Sequence, residues 1–297
     1  MNAKATGTFA ERADGAGFLA WEDLSAHAPS AAFRQTLKEL LLRPGLFFEK
    51  MSTTGGLREP LAFFWVILTI MILLSFPLAL SYFALAAPAP MEVSTEVYNR
   101  HLLLPRAAGF LTVLLPVVLA VAGAMIVLGG TVFHLGARFF GARNWEGSVS
   151  IWCYAKSAGM APVALAEAAA CVVCIGCYLL TLAWPGARPA AASVARWSLF
   201  GLGGGAAVGV LLSLTALFHG CIRAFKLSAE RGAAAVLAGV LLVGALAAGV
   251  GYAFLKRGLR GGLIASGAAA VALAILLVMH ILSGGLSDKA QDAQQPA

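Results

Sequence analysis

Charge is what this chain has least of. Only 12% of its 297 residues are Asp, Glu, Lys or Arg, while 60% are hydrophobic. Soluble domains carry roughly 25% charged residues, so a chain with about half of that lacks the means to solvate a globular surface. Patterns of catalytic specificity are missing as well. No GxGxxG, Walker, GxSxG or HExxH segment occurs, and nothing at the level of motifs argues for an active site. The Gly201–Gly205 run lies inside an apolar stretch and is not a phosphate loop. Alternating segments of about ten residues are absent, which excludes an outer-membrane barrel. No apolar core follows a basic start at the N-terminus, so no secretory signal is expected.

What fills the chain instead is long apolar sequence. Six stretches stand out: Leu61–Leu85, Ala108–Phe133, Ser157–Trp184, Ser198–His219, Gly232–Leu255 and Gly262–Leu282. A helix needs about 20 such residues to cross the hydrocarbon core. With no water at that depth the backbone must satisfy its own hydrogen bonds, so each stretch is helical. The expected fold is all-α, a polytopic helical membrane bundle with six transmembrane helices.

The remaining segments set the organisation. Residues 1–30, rich in Ala, Gly and Ser, read as a disordered tail. Residues 31–59 form a juxtamembrane segment, 60–255 the membrane domain, 256–284 an additional transmembrane helix, and 285–297 a second disordered tail. Within residues 31–43, Phe33, Leu37, Leu40 and Leu41 share one helical face flanked by Arg34, Lys38 and Arg43. That pattern fits a helix lying on the membrane surface, and equally a short helix packed on the bundle. With the N-terminus inside, the cytoplasmic segments hold 14 Lys and Arg against 7 outside, or 10 against 7 near the spans. The positive-inside rule therefore favours an N-in, C-in arrangement. The Lys256–Arg260 loop is the piece that fits it least. The net charge of +7 suits anionic lipid headgroups and requires no nucleic acid.

Glycine is abundant, 33 residues in all. Gly201, Gly205, Gly209 and Ser213 recur every four residues along the fourth span, and Gly262, Ser266, Ala270 and Ala274 along the sixth. Such stripes let helices approach closely; packing within the monomer and a homo-oligomer seam are the two readings. Pro77, Pro116 and Pro162 lie inside spans, as packing kinks or as hinges.

Few side chains could carry chemistry. Glu167 is the one carboxylate deep in a span, and such a residue is a functional candidate by default. Lys156 shares its face but lies about 16.5 Å away along the axis, too far to pair directly. An HxxxR pattern occurs twice, His134 with Arg138 and His219 with Arg223, each at the expected cytoplasmic end of a span. There the cations complement the helix dipole. Glu146 after Asn144, and Glu230 after the candidate cap Ser228, follow the two pairs, so two related helix–loop–helix units are conceivable. A haem between His134 and His219 would sit half solvated and is not expected. Cys171, Cys174 and Cys177 spread around their helix and lack a fourth ligand; small apolar cysteines explain them. Cys153 and Cys221 lie toward the cytoplasmic side, and no structural disulfide is expected. No catalytic residue, cofactor or metal is assigned.

Several segments together resemble the Yip domain family. They are Arg43–Met51 (RPGLFFEKM) followed by Arg58–Trp65 (REPLAFFW), Ser150–Pro162 (SIWCYAKSAGMAP) after a Gly141–Trp145 loop, and His219–Leu237 (HGCIRAFKLSAERGAAAVL). The resemblance covers about residues 43–255. It implies a five-span membrane domain without known catalysis; eukaryotic relatives act in vesicle traffic and bind Rab GTPases. The sixth stretch and Gly232, where Ala is usual, depart from the family pattern. Ala-, Gly- and Arg-rich composition resembles that of a GC-rich bacterium, where no Rab exists.

Two functional classes lead, ahead of a third, a membrane enzyme or cofactor protein using the histidines. The first is a non-enzymatic protein of the bacterial inner membrane that organises lipids or protein partners at its cytoplasmic face, alone or as a homo-oligomer. The second is a small-solute or ion transporter using Glu167, with the kinking prolines as hinges. Candidate functional residues are Glu167, His134, Arg138, His219, Arg223 and Pro162.

Overall fold

The computed structural model describes residues 19–22, 28–54, 56–86, 100–142, 144–253, 255, 256 and 258. Among these there is no strand. The helices are α1 (Pro29–Leu42), α2 (Pro44–Lys50), α3 (Arg58–Ala86), α4 (Arg100–Arg138), α5 (Trp145–Ala183) and α6 (Arg188–Ala224), with a short 3-10 turn at Pro185–Ala187. A seventh, α7, covers Ala229–Ala253. Five helical segments are long and apolar enough to cross a membrane, one each in α3 to α7. The expected sixth span, Gly262–Leu282, its small-residue stripe and the C-terminal tail lie outside the described residues.

Helix length divides the bundle into two levels. α5 runs for 39 residues, about 58 Å, nearly twice the ~30 Å hydrocarbon core. Its first third is buried all round, from Gly147 to Ala155 without a break. Farther along, Leu165 and Val172 turn outward, more than 70% exposed. Leu73, Val121, Leu211 and Leu241 of the other four long helices are also exposed. Apolar side chains that look outward over one band are what lipid stabilises. The buried third of α5 stands beyond that band, wrapped by the remaining elements. We call this region the cap.

The cap is built by α1 and α2. Ala32, Thr36 and Leu40 of α1 are buried, as are Phe47 and Phe48 of α2, and Phe33, Leu37 and Leu41 pack against the same core. α1 is thus a bundle-packed helix. Pro44 opens α2 at its first position, where a missing N–H costs nothing. The first thirty residues, expected to be disordered, contain an ordered piece. Leu19, Ala20 and Trp21 are buried, Glu22 N–H donates to the Leu19 carbonyl, and Pro29 and Ser30 already belong to α1. A single indole and one leucine do not alter the average composition of a tail, yet they bury enough apolar area to fix a turn.

Glycines set the helix spacing. A Cβ at Gly209 of α6 would collide with the Gly159 carbonyl oxygen of α5, and one at Gly205 would meet Ala166 Cβ at 2.9 Å and the Pro162 carbonyl oxygen at 3.0 Å. On α4, Gly123 receives the Trp65 indole, Gly129 the Trp152 indole, and Gly136 abuts Gly239 of α7. Gly205, Gly209 and Ser213 therefore pack inside the monomer, whereas nothing lies within 4 Å of a Cβ at Gly201.

The turn from α4 to α5 is closed by backbone chemistry. Gly141, at φ +109°, donates from its N–H to Arg138 O, and Ala142 N–H to Ala137 O. These are the two bonds of a Schellman motif, which needs a left-handed residue. Asn144 then caps α5, its Oδ1 accepting from Gly147 N–H at 3.3 Å, while its Nδ2 donates to Thr53 O at 2.7 Å. Ser228 likewise accepts from Arg231 N–H at the start of α7.

Candidate functional site

Aromatic side chains from several elements meet in the cap. Trp21 stands edge-on to Phe33 of α1 and Phe63 of α3, with centroids 6.1 and 5.6 Å apart. Phe63 lies 5.6 Å from Tyr154 of α5, which contacts Phe47 of α2 at 4.9 Å. Each pair adds about 0.5–1.5 kcal/mol beyond area burial. Polar groups thread this cluster. Trp21 N–H donates to Thr36 Oγ1 at 3.1 Å and its indole N–H to Glu59 O at 2.9 Å. Glu22 accepts from Ser52 N–H at 3.3 Å and from the Tyr154 hydroxyl at 3.4 Å. The tail is thereby fastened to α1, α3, α5 and the α2–α3 linker together. The Glu22 carboxylate is engaged by these two donors.

The two HxxxR pairs do different work. His134 is buried, and its Nδ1 lies 2.8 Å from Ser148 Oγ, joining α4 to α5. Arg138, one turn on, is exposed. His219 is half-buried against α2, and Arg223 is exposed beside it: a Cβ at Gly45 would lie 3.5 Å from His219 Nδ1 and 3.8 Å from Arg223 Nε. The structure does not bring the two histidines into equivalent positions, so the pairs are not copies of one unit in their contacts.

Glu167 lies in the lipid band. Its Oε1 accepts from Ser75 Oγ of α3 at 3.0 Å, and its Oε2 is buried with no partner among the described residues. Lys156 does not approach it; the ammonium sits 4.4 Å above the Trp152 ring. Pro162 is inside α5, and its carbonyl lies against Gly205. Of the CxxCxxC run, Cys174 is buried, 3.6 Å from Ser198 Oγ, while Cys177 is half-buried. All five cysteines are unbridged. Among the described residues, no three His, Cys, Asp or Glu side chains gather as a metal-binding set.

Sequence reasoning missed the cap's centre. Trp21, Glu22 and Thr36 carried no pattern of their own, and Tyr154 entered only within the Ser150–Pro162 segment of the family resemblance. A lone Trp-Glu pair in a tail of small residues was the available signal for the first two.

The long apolar helices with outward-facing apolar side chains define a multi-pass helical membrane protein. The sequence matches the Yip1 domain over residues 38–251, and the chain belongs to the Yip family. That match ends inside α7 and includes α1 from Lys38, the whole of α2 and the five spans. No curated protein and no solved structure matches the chain significantly.

Proposed function

We propose that this Yip-family protein is a non-enzymatic membrane organiser that binds partners on its cap. The observation that carries the reading is the construction of α1. One face is locked into the bundle by Ala32, Thr36 and Leu40, and the other presents Arg34, Gln35 and Lys38 to the exterior. A rigid helix with an outward charged face loses little entropy on docking. Leu42 at its end and Leu46 of α2 are 71% and 52% exposed. The cap end of the bundle also holds Lys50, Arg58, Arg138, Arg223, Lys226 and Arg231, which supports a cytoplasmic orientation, and the Ala-, Gly- and Arg-rich composition supports a bacterial inner membrane.

The test is crosslinking in native membranes, affinity purification and mass spectrometry. Deleting residues 1–43 would remove core side chains, so the informative variant is Arg34→Glu with Lys38→Glu. A partner that co-purifies with the natural protein and is lost from the variant supports the reading. Recovery of no partner, with lipid distribution unchanged in cells lacking the protein, sinks it.

A second reading is supported by the unpartnered Glu167 Oε2 beside the Ser75 hydroxyl: a transporter using this carboxylate as an intramembrane ion or proton site. Solute flux in proteoliposomes that survives Glu167→Gln would remove Glu167 from any such mechanism.

A further inference from the structure

The two sides of α6 meet different surroundings. Gly209, Ser213, Ala216, Leu217 and Gly220 are buried. On the outward side Leu211, Thr215, His219 and Arg223 follow one another at four-residue spacing and share one face. Leu211 and Thr215 are exposed, His219 is half-buried and Arg223 is exposed. The last exposed large apolar side chain of α6 is Leu214. His219 lies roughly 7.5 Å beyond it along the axis, and Arg223 roughly 13.5 Å. The stripe thus leaves the hydrocarbon and enters the headgroup layer at these two cations.

α2 meets the stripe at that depth, where Gly45 brings its backbone up to His219 and Arg223. Arg43, exposed, stands two residues earlier, and Leu46, half of it exposed, one residue later. Among the described residues no hydrogen bond or ion pair engages the side chains of Arg43, His219 or Arg223. Two other cations are occupied: Lys50 pairs with Glu39 at 3.4 Å, and Lys156 covers Trp152. Three unpaired donors at headgroup depth, above an exposed apolar stripe, form a complement to a phosphate that carries acyl chains.

We propose that Arg43, His219 and Arg223 bind the headgroup phosphate of an anionic phospholipid. The two guanidiniums offer paired N–H donors to phosphate oxygens and the imidazole offers one more. The acyl chains run down the Thr215 and Leu211 stripe, which makes the ligand a membrane lipid.

The test is native mass spectrometry of the full-length protein released from micelles holding equal phosphatidylglycerol and phosphatidylcholine. The natural protein retains phosphatidylglycerol preferentially. Arg43→Gln and Arg223→Gln each lower that preference about fivefold, the effect of one interfacial basic residue, and Arg223→Lys restores most of it. Arg34→Gln on the outer face of α1 removes the same charge and leaves the preference unchanged. Arg43, Arg223 and Arg34 are all exposed, so these variants keep the fold. Three results overturn the proposal: no preference in the natural protein, an Arg34→Gln effect as large as that of Arg223→Gln, or displacement of the lipid by soluble glycerol phosphate alone.

Discussion

Replacing Gly209 with alanine places one methyl group where the Gly159 carbonyl oxygen of α5 already sits, and closer still to that peptide than any real Cβ contact allows. The obstacle is backbone, which cannot swing aside as a side chain can. α6 must retreat by roughly 1 Å to regain van der Waals distance, and a gap of that size forfeits a quarter to a half of each contact well along the seam. The adjacent contacts at Gly205 with Ala166 and Pro162 retreat with it. Overpacking of this kind costs about 1–3 kcal/mol. Against it stands the helix-propensity gain of Gly→Ala, about 1 kcal/mol. Gly201→Ala isolates that gain, since nothing lies within 4 Å of a Cβ there. The expected order in a detergent thermal-shift assay, read by size-exclusion chromatography after heating, is Gly201→Ala at or above the natural protein and Gly209→Ala clearly below it. Equal midpoints for the two variants would refute the claim that α5 and α6 touch through their backbones at this level.

Trp21→Ala is expected to lower stability by about 3–5 kcal/mol, because the indole is buried between Phe33 and Phe63 and its N–H bonds Glu59 O; limited proteolysis of the N-terminal segment, faster in the variant, checks it. His134→Ala should cost roughly 2–5 kcal/mol through the cavity it leaves, with the Ser148 bond lost besides, seen as a lowered midpoint of denaturation. Glu167→Leu should stabilise the folded protein by about 1 kcal/mol, since it removes a carboxylate oxygen buried without a partner, and Ser75 can turn to a carbonyl of its own helix; a lower midpoint instead would make Glu167 structural. Lys50→Gln should change stability by less than about 1 kcal/mol, as befits a part-exposed pair with Glu39.

The membrane-crossing part of this fold was legible from sequence because lipid imposes one requirement at every position of a span. Each expected stretch from Leu61 to Leu255 lies largely inside a long helix. The helices overrun those stretches where they enter the cap: α5 begins at Trp145 rather than Ser157, because polar residues such as Ser148 and Ser150 are buried there against protein, and hydropathy reads burial in protein as exposure to water. The candidate residues divided by the same logic. Glu167 was recognisable because a carboxylate is conspicuous in lipid. Trp21, Glu22 and Tyr154 were not, because their bonds join positions 15 to 132 residues apart and no local spacing records them. Of the small-residue stripe on α6, Gly205 and Gly209 found a neighbour and Gly201 did not; spacing alone could not tell which.

The cap explains why a polytopic bundle of this size needs α1 and α2 at all. Helices that only had to cross lipid could stop near 20 residues; α5 continues turn after turn into a region where Ile151 and Trp152 pack on α6 and α4 and Tyr154 would otherwise face water. Fully burying a large apolar side chain stabilises by about 1.5–3 kcal/mol, and leaving several exposed would cost that much each. α2 and the Leu19–Glu22 turn cover Tyr154, with α1 packed behind them, and in doing so they bring a charged, rigid outer face and the cations of α6 to the same end of the bundle. The same sheath that keeps the overlong helices folded therefore creates the surface on which lipid and partner binding are proposed. A variant that weakens the sheath from within, such as Trp21→Ala, should disturb both kinds of binding together, whereas Arg223→Gln should disturb lipid preference alone.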